Sequence, residues 1–357
     1  MEEYAVIMAG GKGERFWPRS CSQKPKQFLS LLGKKSLLQQ SCERIQDLFS
    51  LENILVVTGR EYQSLAKKQL PDLPLENFII EPQGRNTAPC IGLAALHILK
   101  RNKNASMAVF PADHLIQGKE AFHKCLKTGL RLAEKDSVLV TIGIVPTRPE
   151  TGYGYIDREE KSISREKIVF KVRNFVEKPD IDTALKYLYS GHYLWNSGIF
   201  IWKAGLILEK IEKHLPELYS GLAIINQYIG SQEEEKVMEK IFPSLPAISV
   251  DYGIMEKEQD ILVLRADFGW DDLGSWAALA EWSPSNSDGT VVLGEHVGID
   301  TSECLVYGQN ALIATLGVKN LVIVQTPDAV LVCARERSQE VKNLVQMLKT
   351  RKRLKYL

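Results

Sequence analysis

An excess of charge of either sign is missing: 45 Lys and Arg stand against 44 Asp and Glu, a formal net charge of +1. A chain so balanced has no overall field to draw in nucleic acid, so any anion it binds must be met by local groups. The six cysteines, Cys21, Cys42, Cys90, Cys125, Cys304 and Cys333, include no Cys-x-x-Cys pair, which argues against a zinc ribbon or a disulfide framework and makes a reducing cytoplasm the expected compartment. No apolar stretch approaches membrane-spanning length. The amino terminus carries two glutamates and then a strand-like run, so it lacks the basic start and apolar core of a signal peptide. No biased stretch suggests disorder. The basic run from Lys349 to Lys355 reads as a solvated tail.

What remains is an ordinary globular composition in 357 residues, too long for one hydrophobic core, and a principal domain with a smaller companion is expected. Short, non-alternating apolar runs at Ala5–Ala9, Ile54–Thr58, Phe78–Ile80, Met107–Phe110 and Val138–Ile144 are how strands buried on both faces read. Helical patterns lie between them: Leu37, Leu38, Cys42, Ile45 and Leu48 share one face, as do Ile91, Ala94, Ala95, Ile98 and Leu99. This alternation predicts an α/β fold with a mostly parallel, mixed sheet covered on both sides. From Gly152 to Trp202 the pattern loosens into a Gly- and Tyr-containing stretch, a charged segment at Arg158–Lys167, a strand over Val169–Val176, a helix and another strand, and is expected to form an insertion capping the sheet; 206–242 reads as helical with charged faces. After Pro284 short apolar runs at Thr290–Leu293, Cys304–Tyr307, Ala311–Leu316, Leu321–Gln325 and Ala329–Cys333 alternate with turn residues. They predict a small β-rich module closed by a helix over Glu336–Leu348, with Val341, Leu344, Val345 and Leu348 on one face. The expected division is residues 1–283 and 284–357.

The first strand runs into Gly10, Gly11, Lys12, Gly13, Glu14 and Arg15. A glycine-rich turn at the carboxyl end of a buried strand is where open α/β sheets take ligands. Without Cβ atoms it brings backbone N–H groups against phosphate oxygens, and Arg15 adds a forked cation. Alone the loop reads equally well as a tight turn, and it matches neither the phosphate-loop pattern nor a dinucleotide fingerprint, since Phe16 takes the third glycine position. The sequel raises its weight: Arg19, Lys24 and Lys26 follow, and Pro25 holds the chain extended so that Lys26 can be aimed at a polyphosphate. Asp113 follows the strand Met107–Phe110, at the carboxyl end of the sheet, where a hard dication would find an oxygen ligand.

Taken together, Gly10–Arg15 with Pro25-Lys26-Gln27-Phe28, Glu81-Pro82 with Arg85-Asn86-Thr87-Ala88-Pro89, Pro111-Ala112-Asp113-His114, and Pro149-Glu150-Thr151-Gly152-Tyr153-Gly154-Tyr155-Ile156 resemble the bacterial mannose-1-phosphate guanylyltransferases, a family of sugar nucleotidyltransferases. Phe175-Val176-Glu177-Lys178-Pro179-Asp180, Trp195-Asn196-Ser197-Gly198, Asp251-Tyr252 with Met255-Glu256-Lys257, and Trp270-Asp271-Asp272-Leu273-Gly274-Ser275-Trp276 extend the resemblance, in family order, over about the first 280 residues. The one departure is Asp271, where the family carries Ser or Asn.

The resemblance implies a Rossmann-like nucleotide-sugar transferase domain and a C-terminal module similar to a short left-handed β-helix that supports a homodimer. It implies transfer of GMP from GTP to α-D-mannose 1-phosphate, giving GDP-mannose and pyrophosphate. Mg²⁺ would be held by Asp113 and Asp272, with Asp271 a further candidate. Gly10, Gly11, Gly13, Arg15 and Lys26 would meet the nucleotide phosphates. Arg85 and Asn86 would line the base, while Thr87 fits equally a base-lining residue and a helix N-cap. Tyr153, Gly154, Glu177, Lys178, Asn196 and Gly198 would face the sugar phosphate. His114 is expected to orient or support rather than titrate, because the attacking phosphate oxygen is already anionic. The end of the chain soon after the β module is expected to leave the transferase activity alone. A heptose or glucose nucleotidyltransferase and a non-catalytic GDP-mannose-binding regulator are the alternatives.

Overall fold

The computed structural model describes residues 2–164 and 167–357. Arg165 and Glu166, in the charged segment expected over 158–167, lie outside the described residues. The chain divides into two compact units that interleave in sequence: one takes residues 1–10, 41–112 and 116–270, the other 11–40, 113–115 and 271–357.

The first unit is built on a nine-stranded sheet. Its strands are β1 (Glu3–Met8), β2 (Ile54–Gly59), β3 (Phe78–Glu81), β4 (Ser106–Pro111), β5 (Leu139–Ile144), β6 (Gly154–Arg158), β7 (Val169–Glu177), β8 (Tyr193–Lys203) and β9 (Ile261–Ala266), in the order β3-β2-β1-β4-β8-β5-β9-β7-β6. β1, β2, β3 and β4 pair in parallel, as do β5 and β9, whereas β8 runs antiparallel to both its neighbours β4 and β5. The central strands are continuous apolar runs because both faces are covered: every residue of β2 and β5 is buried. The segment expected to cap the sheet instead supplies three of its strands, β6, β7 and β8. Its intervening helix, Ile181–Ser190, is set by local signals: Asp180 accepts from Thr183 N–H at 2.8 Å, and Gly191 ends it at φ 70°.

The region expected to be helical over 206–242 contains helices Ala204–His214, Pro216–Asn226 and Glu234–Ile241. Ile207, Ile211, Leu218, Leu222 and Met238 from them join Ile91, Ala94 and Ala95 of the helix Thr87–Arg101 in one core. That close packing requires Gly92, where an added Cβ would lie 2.5 Å from Leu222 Cδ1.

The second unit carries the β-rich module. Its strands are β10 (Val291–Leu293), β11 (His296–Ser302), β12 (Leu305–Tyr307), β13 (Ile313–Lys319), β14 (Leu321–Gln325) and β15 (Val330–Ala334). β10, β12 and β14 pair in parallel in one sheet, with β15 antiparallel at its edge, and β11 and β13 pair in parallel in another. The chain therefore coils, adding strands alternately to two sheets, which is a β-helix-like path. The inward residues Val291, Leu305, Val322, Val324 and Leu331 pack with Phe16, Trp17, Leu29 and Trp276. The closing helix, Val341–Thr350, docks on this core through Val341 and Val345. The basic run from Lys349 to Lys355 is exposed, with contacts at its two ends: Lys349 Nζ lies 2.5 Å from Glu14 Oε1, and just past the run the Tyr356 carbonyl accepts from Trp17 Nε1 at 2.7 Å.

Candidate active site

Within the second unit, the glycine loop, Lys26, Asp113 and Asp272 come together. Gly13 sits at φ 60°, and an added Cβ there would fall 2.2 Å from Lys26 Cβ, so only glycine lets the loop lie on the lysine. Gln27 Nε2 donates to the Gly11 carbonyl at 2.9 Å and Ser20 Oγ to the Gly13 carbonyl at 2.6 Å, fixing the loop from below. Pro25 is extended, with its φ of −67° set by the ring, and Lys26 opens a short 3₁₀ turn with only 5% of its surface exposed. Its Nζ lies 2.7 Å from Asp113 Oδ2 and donates to the Asp272 carbonyl at 2.5 Å. Lys26 is thus engaged by the acidic cluster rather than standing free.

The two aspartates are in different electrostatic states. Burial would raise Asp113, but the Lys26 ammonium, His114 and the Lys26 hydrogen bond outweigh it and hold its carboxyl below the usual range. Burial pushes Asp272 up to about 6 against the pull of Lys26, and the neighbouring Asp271 and Asp113 charges add to the rise. Asp272 Oδ1 is buried without a hydrogen-bond partner among the described residues. Asp271 is fully buried and turned into the fold, with Oδ1 accepting from Leu273 N–H at 2.7 Å, so it organises the turn that presents Asp272. His114 Nε2 is 3.9 Å from Asp113 Oδ1. A cavity of about 420 Å³ opens over the cluster, lined among others by Lys12, Arg15, Lys26, Asp113, Asp272 and Lys342.

The first unit holds a second constellation. Asn196 Nδ2 donates to Asp251 Oδ1 at 2.8 Å, and Gly198, at φ 66°, donates its N–H to Asn196 Oδ1 at 3.1 Å. Glu177 pairs with Lys178 at 3.0 Å, and Lys178 adopts the left-handed φ of 50°. A Cβ on Gly154 would fall 2.2 Å from Glu177 Oε2 and 3.3 Å from Asn196 Cβ, so the glycine makes room for both. Tyr153 is buried edge-on against Trp195 and Trp270, and its carbonyl accepts from Lys178 N–H at 3.1 Å; it is a wall of this cluster. Burial raises Asp251 to about 6 despite the Asn196 hydrogen bond, with Glu177 and Glu256 pushing the same way.

At the start of helix Thr87–Arg101 the N-cap is Asn86, at φ 70°, whose side chain accepts from Thr87 N–H at 2.8 Å. Thr87 itself is inside the helix, and its hydroxyl accepts from Val250 N–H at 2.8 Å. Arg85 Nη2 donates to the Pro243 carbonyl. Glu81, ending β3, is 3% exposed and carries an Oε1 with no hydrogen-bond partner among the described residues. Burial pushes its carboxyl up to about 8, against a hydrogen bond from Cys90. Gly10 lies against it: an added Cβ would be 3.5 Å from Glu81 Oε2. Sequence reasoning gave no role to the buried carboxyls Glu81 and Asp251 of the first unit, nor to Lys342 at the cavity of the second. The first two stand in quoted motifs, but nothing in the sequence around Lys342 marks it.

The Nucleotidyl transferase family model matches residues 4–288, and the MannoseP isomerase/GMP-like beta-helix domain model matches residues 294–348. A mannose-1-phosphate guanylyltransferase of Klebsiella pneumoniae is 42% identical over 354 residues, covering 98% of this chain and 75% of that protein. This chain belongs to the mannose-1-phosphate guanylyltransferase family. A member from Escherichia coli shares the same identity and coverage. A solved structure from Thermus thermophilus, described as a mannose-1-phosphate geranyltransferase, is 36% identical with a TM-score of 0.88, covering 98% of this chain and 100% of that one. This guanylyltransferase-family chain is a nucleotidyltransferase with an α/β catalytic fold and a C-terminal β-helix-like domain. Among the described residues no helix is long and apolar enough to cross a membrane.

Proposed function

We propose that this chain transfers GMP from GTP to α-D-mannose 1-phosphate, releasing GDP-mannose and pyrophosphate, by in-line attack at the α-phosphorus. The observation that carries the reading is the acidic cluster beside the glycine loop, in which Asp113 is held ionised by Lys26 while Asp272 keeps a buried, unpartnered carboxylate oxygen. Family membership supports the choice of guanine and mannose.

Magnesium fits that cluster. A hard dication takes oxygen ligands and is commonly bound by one or two carboxylates plus substrate phosphates. Asp272 Oδ1 lacks a partner and its carboxyl is raised by burial and by the neighbouring acids, so a cation there relieves both penalties. No group of three or more ligating side chains exists among the described residues, which leaves the other coordination positions to phosphate oxygens and water. Asp113 and Asp272 would hold Mg²⁺, and bound there it neutralises charge on the reacting phosphates.

Catalysis is then a matter of holding two mutually repelling anions in position. Gly10, Gly11 and Gly13 present backbone to the nucleotide phosphates, with Arg15 and Lys26 as cations. Arg85 and Asn86 shape the base site. Ionised on nucleotide binding, Glu81 accepts from the guanine N1–H and exocyclic amine, the adjacent donor pair that adenine and the pyrimidines do not offer in that form. Lys178 pairs with the sugar phosphate, and Glu177, Asn196 and the backbone of Gly154 and Gly198 meet the hydroxyls beside Tyr153. For catalysis the chain divides into 1–283, the transferase domain, and 284–357, the C-terminal module. That module joins two copies in a homodimer through the exposed Val297, Ile299 and Leu316 of β11 and β13. The compartment is the cytoplasm.

The test is pyrophosphate release from GTP, UTP and ATP with mannose, glucose and heptose 1-phosphates, with and without Mg²⁺, for wild type and Asp113→Asn. The expected result is Mg²⁺-dependent turnover of GTP with mannose 1-phosphate and an inactive, folded variant. Equal turnover by the two proteins removes the metal assignment, and a flat assay with every pair leaves a GDP-mannose-binding regulator.

A further inference from the structure

The cations around the glycine-loop cavity are not equivalent. Lys26 is spent on Asp113 and on the Asp272 carbonyl, and Glu14 is matched by Lys349. Lys12, Arg15 and Lys342 line the same cavity and have no ion-pair partner among the described residues. A nucleoside triphosphate brings several negative charges, and after transfer the pyrophosphate carries them away. The positive charge that meets the end of the phosphate chain must come from groups not already neutralised.

Of these three, Lys342 comes from the C-terminal module, and its placement is built rather than incidental. Val341, beside it, is 2% exposed and Val345, one turn on, is 4% exposed, both packed in the core with Phe16 and Trp17, the residues that follow the glycine loop. A further turn on, Lys349 binds Glu14 of the loop itself at 2.5 Å. Residues 341, 345 and 349 form one stripe at i, i+4, i+8 spacing, so the helix is pinned to the loop along its length and Lys342 is held at the cavity wall.

Resting on the reading that this cavity takes the triphosphate of GTP, we propose that Lys342 is a binding residue for the β- and γ-phosphates and for the pyrophosphate product. The C-terminal module then completes the nucleotide site in addition to any part it takes in assembly. Lys26 meets the nucleotide phosphates from within the acidic cluster it secures, and Lys12, Arg15 and Lys342 hold the β- and γ-phosphates.

The test is steady-state kinetics on the full chain in both directions, with GTP and mannose 1-phosphate forward and GDP-mannose and pyrophosphate in reverse, for wild type, Lys342→Met and Lys342→Arg. Lys342→Met is expected to raise KM for GTP and for pyrophosphate about tenfold, leaving KM for mannose 1-phosphate and GDP-mannose within about twofold. Lys342→Arg, which keeps the charge, is expected to stay within about threefold of wild type throughout. Unchanged KM values for GTP and pyrophosphate in Lys342→Met overturn the assignment. So does a parallel rise of all four KM values, which marks a merely structural role. If wild type itself releases no pyrophosphate from GTP and mannose 1-phosphate, the proposed function fails and Lys342's role falls with it; an active wild type with an indifferent Lys342→Met removes the Lys342 role alone.

Discussion

Asp251 fixes the amide of Asn196: Nδ2 donates to Asp251 Oδ1 at 2.8 Å while Asn196 Oδ1 accepts from Gly198 N–H at 3.1 Å. With both ends engaged, the amide has one orientation, leaving one N–H and one carbonyl lone pair for a ligand. The segment carrying Asp251 is itself held, because Val250 N–H donates to Thr87 Oγ1 at 2.8 Å and Ala88 N–H to the Ile248 carbonyl at 3.1 Å.

Releasing that amide should weaken sugar binding selectively. Asp251→Ala is expected to raise KM for mannose 1-phosphate about tenfold, an effect of the size of one hydrogen bond to a charged group, with KM for GTP within about twofold. Asp251→Asn, whose carbonyl still accepts from Asn196, should recover most of the loss. Steady-state kinetics of the two variants decide it: equal impairment of both would show that the charge, not the hydrogen bond, matters.

Gly154→Ala places a methyl where Glu177 Oε2 now stands. The carboxylate must swing away, so KM for mannose 1-phosphate should rise at least tenfold while the thermal midpoint moves by only a few degrees. A variant with wild-type KM would show that Glu177 is not needed where it sits.

Glu258 anchors the helix Ala204–His214, with its carboxylate 2.6 Å from Lys210 Nζ, 2.7 Å from Lys213 Nζ and 2.5 Å from His214 Nε2, and its side chain is 3% exposed. Burial would raise its pKa, but the His214, Lys210 and Lys213 hydrogen bonds hold it down at about 2, from an ordinary 4.5. A carboxylate depressed in the folded state stabilises fully above the unfolded value and loses that contribution as pH falls from about 4.5 toward 2. Glu258→Gln should cost roughly 2 kcal/mol at neutral pH, since it removes the buried charged acceptor that Lys210, Lys213 and His214 share. Denaturant unfolding from pH 7 to pH 3 should show the gap to wild type narrowing below pH 4.5; a constant gap would count against the assignment.

Glu81 gives the opposite sign. Its carboxyl is raised from 4.5 to about 8, so between these values the folded state holds a proton that the unfolded chain has released. Stability from this group therefore falls as pH rises across the window, by roughly 1.4 kcal/mol per pH unit, and levels off above 8. Glu81→Gln, which cannot ionise, should gain on wild type between pH 5.5 and pH 7.5 in the same unfolding experiment, while its KM for GTP rises. Parallel stability curves would rule out a carboxyl titrating in that range.

Much of this was written locally. Strand periods, the glycine run and the capping of Ile181–Ser190 by Asp180 and Gly191 depend on residues a few positions apart, so they read from the chain directly. β11 was not legible, because most of its residues are exposed and it shows no apolar run. The strand over Val169–Val176 and the strand after the helix read from the chain as β7 and β8, but their place in the main sheet did not, because which strands pair is decided by distant packing rather than by local pattern.

By itself the sequence determined which chemical groups exist and which turns and strand ends carry them: glycines after β1, Asp113 after β4, an acidic pair before Leu273. Only the tertiary structure decided how those groups share charge. Lys26 meets partners 87 and 246 residues away, and Lys342 reaches the glycine-loop cavity because Val341 and Val345 are buried in the core that also buries Phe16. Periodicity and capping act over one or two turns of chain, whereas the pairing of distant cations and carboxylates follows from which apolar faces pack together.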